Sequence, residues 1–182
     1  MILAFDTATA FGAVCAVTPR RHGRAARAGD LLVAVDGLID DPAEIDGIVV
    51  GCGPGSFTSI RIGLAMARTL ALALDVPVAG ASTLDGFAAG TPVLDARRGE
   101  VFTTGPRVCK PEELDVAGQT LVGDGAIRYR ALFEERGATI PPDADGAHVP
   151  DPLLLVERAG AFGRAELVEP LYVRDPDAKP QP

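Results

Sequence analysis

The 182-residue chain carries 25 acidic and 17 basic side chains, a formal net charge of −8, which argues against a protein that grips nucleic acid alone through a basic face. A hydrophobic share of 47% fits one folded domain or two small ones. Cys15, Cys52 and Cys109 have neither metal-ligand nor redox spacing, so reduced thiols and a cytoplasmic setting are expected.

Met1-Ile2-Leu3-Ala4-Phe5-Asp6 has no basic leader, so it predicts a first strand rather than a signal peptide. A polar turn over Thr7–Phe11 and a strand over Gly12–Thr18 complete a hairpin. Asp6 ends the first strand beside Thr7 and Thr9. A carboxylate there can hold a hydrated metal ion under a phosphate, or it can close an Asx-turn on its own backbone. Pro19–Gly29 carries Arg20, Arg21, His22, Arg24 and Arg27 without interleaved aromatics, as in a solvated loop. Asp30 is expected to cap a helix with Leu31, Leu32, Val35, Leu38 and Ile39 on one stripe. Asp41-Pro42-Ala43-Glu44 predicts one helical turn before a buried strand over Gly47–Val50.

Gly51-Cys52-Gly53-Pro54-Gly55-Ser56 follows that strand. Its glycines allow positive φ, Pro54 fixes its own, and Ser56 or Thr58 can cap the next helix. Such a turn suits an anion at a helix N-terminus, or it serves strand-to-helix packing alone. A Walker A lysine is missing, and the third glycine of a dinucleotide fingerprint falls on Ser56 or Thr58. The helix over Ile60–Leu74 is apolar nearly all round, with Arg61 and Arg68 sharing one face. That pattern means a central helix or half of an interface. Its length and arginines argue against a membrane span.

Beyond it, the pattern predicts a strand over Val76–Ala79, a short helix from Ser82 to Ala89, and a hairpin of Thr91–Asp95 with Glu100–Thr104 around Arg97-Arg98-Gly99. Asp95 therefore ends a strand beside a turn, as Asp6 does, which suggests a duplicated unit. Pro106–Gly118 reads as loop, Thr120–Val122 as strand, Ala126–Arg136 as helix and Ala138–Pro150 as exposed loop. A helix over Asp151–Phe162, an extended piece over Glu169–Val173 and a disordered tail from Asp175 are expected. His22 and His148 fall in loops, and no acid–base set or serine–histidine–acid spacing stands out.

Taken together, Ile2–Thr9, Gly53-Pro54-Gly55-Ser56-Phe57-Thr58-Ser59-Ile60-Arg61-Ile62-Gly63, Ser82-Thr83-Leu84, Asp95-Ala96-Arg97-Arg98-Gly99-Glu100-Val101-Phe102 and Glu169–Arg174 resemble the TsaB (YeaZ) family. The resemblance implies an α/β, actin-like ATPase (ribonuclease H-like) fold: a first lobe over 1–90, a shortened second lobe with a C-terminal helix over 91–174, and a tail over 175–182. It also implies a non-catalytic subunit in the transfer of a threonylcarbamoyl group to the adenosine beside the anticodon of tRNAs reading codons that start with A. Partners would be a TsaD-like catalytic paralogue and a TsaE-like ATPase, with a homodimer as a further option. The complex would use ATP and Mg, this chain alone would need no cofactor, and tRNA would be met only through the complex.

The implied interface is Leu31, Leu32, Val35, Ile60, Arg61, Leu64, Ala67, Arg68 and Leu72. Asp6, Thr7, Gly53, Gly55 and Ser56 would be a vestigial phosphate or metal site. Three departures stand out. Ala28-Gly29-Asp30 replaces a region where the family often has histidine, Ser59 replaces a common glycine, and Val17 to Asp30 leaves little room for a third strand. The competing readings are a stand-alone ATP-binding phosphotransferase or ATPase of the same fold, and a tRNA-binding patch at Arg20, Arg21, Arg24 and Arg27.

Overall fold

In a computed structural model, residues 1–18 and 21–174 are described. Two sheets carry the architecture. β1 (Ile2–Asp6), β2 (Ala13–Val17) and β3 (Arg21–Ala25) form an antiparallel meander, while β4 (Gly47–Gly51) and β5 (Val78–Ala81) add in parallel on the far side of β1. The resulting order is β3-β2-β1-β4-β5. β6 (Thr91–Arg97), β7 (Glu100–Thr103), β8 (Arg107–Cys109) and β9 (Leu121–Val122) repeat that succession as β8-β7-β6-β9, again with two antiparallel partners on one side and a parallel one on the other. The echo between Asp6 and Asp95 is thus a repeated strand topology.

Side chains alternate across the first sheet, as the pleat demands. Leu3, Phe5, Cys15, Ile48 and Val50 face α1 (Leu31–Asp36) and α2 (Phe57–Leu74). In the second lobe, α3 (Asp124–Arg128) and α4 (Arg130–Glu135) cover Val93, Val101 and Leu121 with Ala126 and Phe133. α5 (Pro152–Arg158) does not stay with that lobe. Its Leu155 is buried among Ala4, Val49, Ala79 and Ala81 on the back of the first sheet. The second sheet begins at Thr91, while the C-terminal helix expected in the second lobe packs as α5 on the first.

Two strands were missed in the sequence. β3 lies where a loop was expected and where room for a third strand looked scarce, and β8 lies in the expected Pro106–Gly118 loop. Both are edge strands. Each takes its ladder from one neighbour and exposes charged side chains, so neither shows a buried alternation. The predicted helix over Ala126–Arg136 begins earlier and breaks at Tyr129, whose backbone leaves helical geometry (φ −107°, ψ 23°). α5 stops at Arg158 because the chain then runs along the edge of β5, where Gly160 N donates to Gly80 O and Val78 bridges Gly163. β5 itself starts at Val78 rather than Val76. Ser82 caps a 3-10 turn over Thr83–Gly86, not a helix to Ala89, and Asp30 makes no capping bond to α1. The expected tail over 175–182 lies outside the described residues.

Helix α2 begins one turn before Ile60 because Ser56 caps it. At 18 residues, with a mean hydropathy of 1.4, it meets the length and composition of a membrane span, so the length argument against spanning fails. Its inner side is nevertheless committed to the sheet through Ile60, Gly63, Leu64, Ala67 and Ala71.

Candidate functional site

A cleft of about 900 Å³ lies between the two lobes. It is walled by the Thr7–Ala10 turn, the start of α2, the Asp95–Arg98 corner and the segment Leu171–Arg174. The first three walls are turns at the ends of strands or the start of a helix, and the fourth is irregular chain.

Asp6 belongs to the knot beneath that cleft. It is 1% exposed. One carboxylate oxygen accepts from Ala8 N at 2.7 Å, and the other accepts from the Thr83 hydroxyl at 2.6 Å. The first bond is the Asx-turn weighed in the sequence. Thr83 Oγ1 in turn accepts from Gly53 N at 3.1 Å, so one carboxylate ties β1, the glycine turn and the turn after β5. Burial pushes the Asp6 carboxyl above the usual aspartate range, and the bonds from Thr83 and Ala8 pull it back in part. A carboxylate so placed has both oxygens spent on the fold. Among the described residues, no group of three or more His, Cys, Asp and Glu is arranged around a metal ion.

The glycine turn is shaped by the same knot. A Cβ on Gly51 would stand 1.8 Å from Asp6 Oδ2, and one on Gly55 would stand 2.4 Å from Ala8 O. Gly53 has φ +98° and precedes a cis Pro54. Ser56 N donates to Ala8 O at 2.8 Å. Thr7, 1% exposed, donates its hydroxyl to Ser59 O at 2.7 Å, and a Cβ on Gly63 would come within 2.5 Å of that hydroxyl oxygen. Close packing of turn against turn accounts for the glycines. Of the expected phosphate or metal set, Asp6 and Thr7 point into internal bonds, while exposed Ser56 stands at the cleft.

The expected docking residues divide. Leu31, Val35, Ile60, Leu64 and Ala67 are all under 5% exposed and fill the first lobe's own core, so they are packing residues in this chain. Leu32, Arg61, Arg68 and Leu72 are exposed. The two arginines turn toward the C-terminal segment: Arg61 Nε donates to the Tyr172 hydroxyl at 3.0 Å, and Arg68 Nη2 donates to Val168 O at 2.8 Å. The leucines have no such cover. Leu72 is 86% and Leu32 49% exposed, and Val33, which the sequence did not single out, is 77% exposed.

Asp124 escaped the sequence reading. It opens α3, and its carboxylate joins the lobes by accepting from Ala10 N at 2.8 Å and from Asp95 N at 2.9 Å. Burial pushes its carboxyl up, with those two N–H groups lowering it and neighbouring Asp95 raising it. Its partners are backbone amides far away in sequence, so no local motif marks it. Asp95 pairs with Arg97 at 3.1 Å. His148 proves to be fully buried, accepting from Gly123 N at 3.1 Å through Nδ1, with Nε2 3.1 Å from Pro141 O. It is a core histidine. Arg21 reaches Leu38 O and Asp40, and Arg24 reaches Phe11 O, while Arg20 lies outside the described residues.

Residues 30–133 match the family of TsaD, tRNA N6-adenosine threonylcarbamoyltransferase. The chain is 35% identical to an uncharacterized protein of Mycobacterium tuberculosis over 98% of its own length and 94% of that relative's. It is 43% identical over 82 residues to the tRNA threonylcarbamoyladenosine biosynthesis protein TsaB of Bacillus subtilis, a match that covers 38% of this chain and 36% of that protein. Among solved structures, YeaZ from Pseudomonas aeruginosa superposes with a TM-score of 0.73 at 26% identity, over 94% of this chain and 98% of that one.

Proposed function

This chain belongs to the TsaB (YeaZ) family, and on that premise we propose that it is a non-catalytic subunit of the complex that transfers a threonylcarbamoyl group to tRNA adenosine. A role in tRNA threonylcarbamoyladenosine biosynthesis follows from its relatives. The finer reading is that it docks on and activates a TsaD-like paralogue, with a TsaE-like ATPase in the same assembly. The complex then supplies ATP and Mg and meets tRNA, and all of this takes place in the cytoplasm. The repeated strand order fits the actin-like, ribonuclease H-like fold of such a subunit.

One observation carries the docking reading: the outer side of α1 and α2 leaves Leu32, Val33 and Leu72 exposed. Covering each is worth about 1.5–3 kcal/mol before the costs of association. The carboxylates under the cleft are committed to internal bonds, which supports a scaffold over a catalyst. Leu72→Glu should abolish co-purification with the TsaD-like paralogue while leaving the circular dichroism spectrum and melting temperature unchanged. Intact assembly in that variant overturns the reading.

The cleft favours a second reading, a stand-alone ATP-binding phosphotransferase or ATPase, because its volume accommodates a nucleotide. Calorimetry of the isolated chain with Mg-ATP separates the two. Micromolar binding with turnover would favour the enzyme, and no heat would favour the subunit.

A further inference from the structure

The segment from Val168 to Arg174 passes from one lobe to the other and is held along its length. On the first lobe, Val168 O accepts from Arg68, and Leu171 N donates to Cys52 O at 2.8 Å, within the glycine turn. Tyr172 stacks on Phe57 at a centroid distance of 5.1 Å. Arg61 lies over the same Phe57 ring at 3.9 Å and holds the Tyr172 hydroxyl. On the second lobe, Arg174 donates to Ala96 O at 3.1 Å and pairs with Glu100.

The place where Arg174 lands is informative. The β6–β7 register shifts between Asp95 and Arg97, so that Asp95 faces Val101, Arg97 faces Glu100, and Ala96 is the extra residue. A bulge leaves backbone groups outside the ladder, and those groups need other partners. Here Arg174 takes Ala96 O, and Asp124 takes Asp95 N while also holding Ala10 N of the first lobe. The bulged end of β6 is thus linked to the first lobe by two routes, through Arg174 of the crossing segment and through Asp124 of α3, which also holds Ala10 N.

We infer that Val168–Arg174 is an inter-lobe clasp, anchored on α2 by Arg61, Arg68 and Tyr172 and on the β6 bulge by Arg174, which holds the cleft at one opening. A two-lobed protein that closes on a ligand needs its hinge free. This one has Ala96 O of its bulge tied to the segment that docks on the opposite lobe. The inference is independent of the docking reading, since it concerns the lobes alone.

Hydrogen–deuterium exchange on the full chain tests it. Arg174→Ala should speed exchange by at least roughly tenfold in peptides covering Ala96–Glu100 and Val168–Arg174, with the strands of β1 and β4 still protected. Exchange equal to wild type, or a rise spread evenly over the chain, overturns the clasp. Glu100→Gln keeps the bond to Ala96 O and should give a smaller rise in the same two regions. If Arg174→Ala fails to fold, a flat Glu100→Gln profile overturns the proposal by itself.

Discussion

The two lobes share a strand order and differ in what covers it. In the first, one 18-residue helix crosses the sheet and leaves Leu72 exposed on its outer side beside Arg61 and Arg68. In the second, the corresponding stretch after the fourth strand is broken into α3 and α4, of 5 and 6 residues, with Arg128 and Arg130 among them. The aspartates near the C-terminal end of the first strand of each lobe also differ, Asp6 closing β1 and Asp95 standing two residues before the end of β6. Asp6 is sealed by Ala8 and Thr83, whereas Asp95 sits at the cleft corner with Arg97 and Arg128 at 3.1 and 3.7 Å. A repeated topology thus supports one lobe built as a dense platform and one built as a pinned companion. Topology constrains how strands pair, while side-chain volume and charge decide what each copy can present.

The sharpest way to break this contrast is at the glycine ending the fourth strand. Gly51→Ala sets a methyl on the Asp6 carboxylate and should cost at least about 3 kcal/mol, because a buried carboxylate would lose its partners. Urea unfolding measures it, and a loss under about 1 kcal/mol would mean that the knot is loose.

A smaller effect is expected at the pin between lobes. Asp124→Ala should cost about 1–3 kcal/mol and should broaden the thermal transition as the second lobe gains independence. A transition as sharp as wild type would mean that the clasp alone joins the lobes. The same residue gives a pH test. Burial raises its folded pKa above the unfolded value, so the folded chain binds the proton more readily. Its contribution to stability therefore falls as pH rises from the unfolded value through the raised folded one, and levels off outside that window. Asp124→Asn should show a shallower decline over that range, and parallel curves would contradict the assignment.

The smallest effect is chemical. Burial pushes Cys15 and Cys52 up to about 11, while Cys109 is only partly buried on the edge strand of the second sheet. Native protein at pH 8 should alkylate at Cys109 first, as mass spectrometry would reveal, with Cys15 and Cys52 modified only after unfolding.

Where local chemistry was strong, the sequence was legible. Asp41 and Asp151 accept the capping bonds their motifs promised, from Ala43 N and Leu153 N, and the hairpin around Arg97-Arg98-Gly99 formed with positive φ at all three residues. What stayed hidden depends on partners distant in the chain. β3 and β8 gain their strand character from one neighbour each, not from their own side chains. Asp124 acts through two remote amides. The apolar helix looked uniform in sequence, and only the sheet beneath it separates buried Leu64 from exposed Leu72. The glycines of Gly51–Gly55 suggested a ligand because close backbone approach is what both a ligand and a tight turn require.

The position of α5 bears on how the chain is made. The back of the first sheet, β1 included, is covered by a helix that leaves the ribosome last among the five. At roughly 5–20 residues per second, β1 waits on the order of ten seconds for Leu155 to reach Ala4 and Val49. Until then one apolar side of the earliest sheet faces water or a chaperone. Vectorial synthesis therefore cannot finish the first lobe before the second has emerged, and a nascent chain halted near residue 90 should be retained by holdase chaperones.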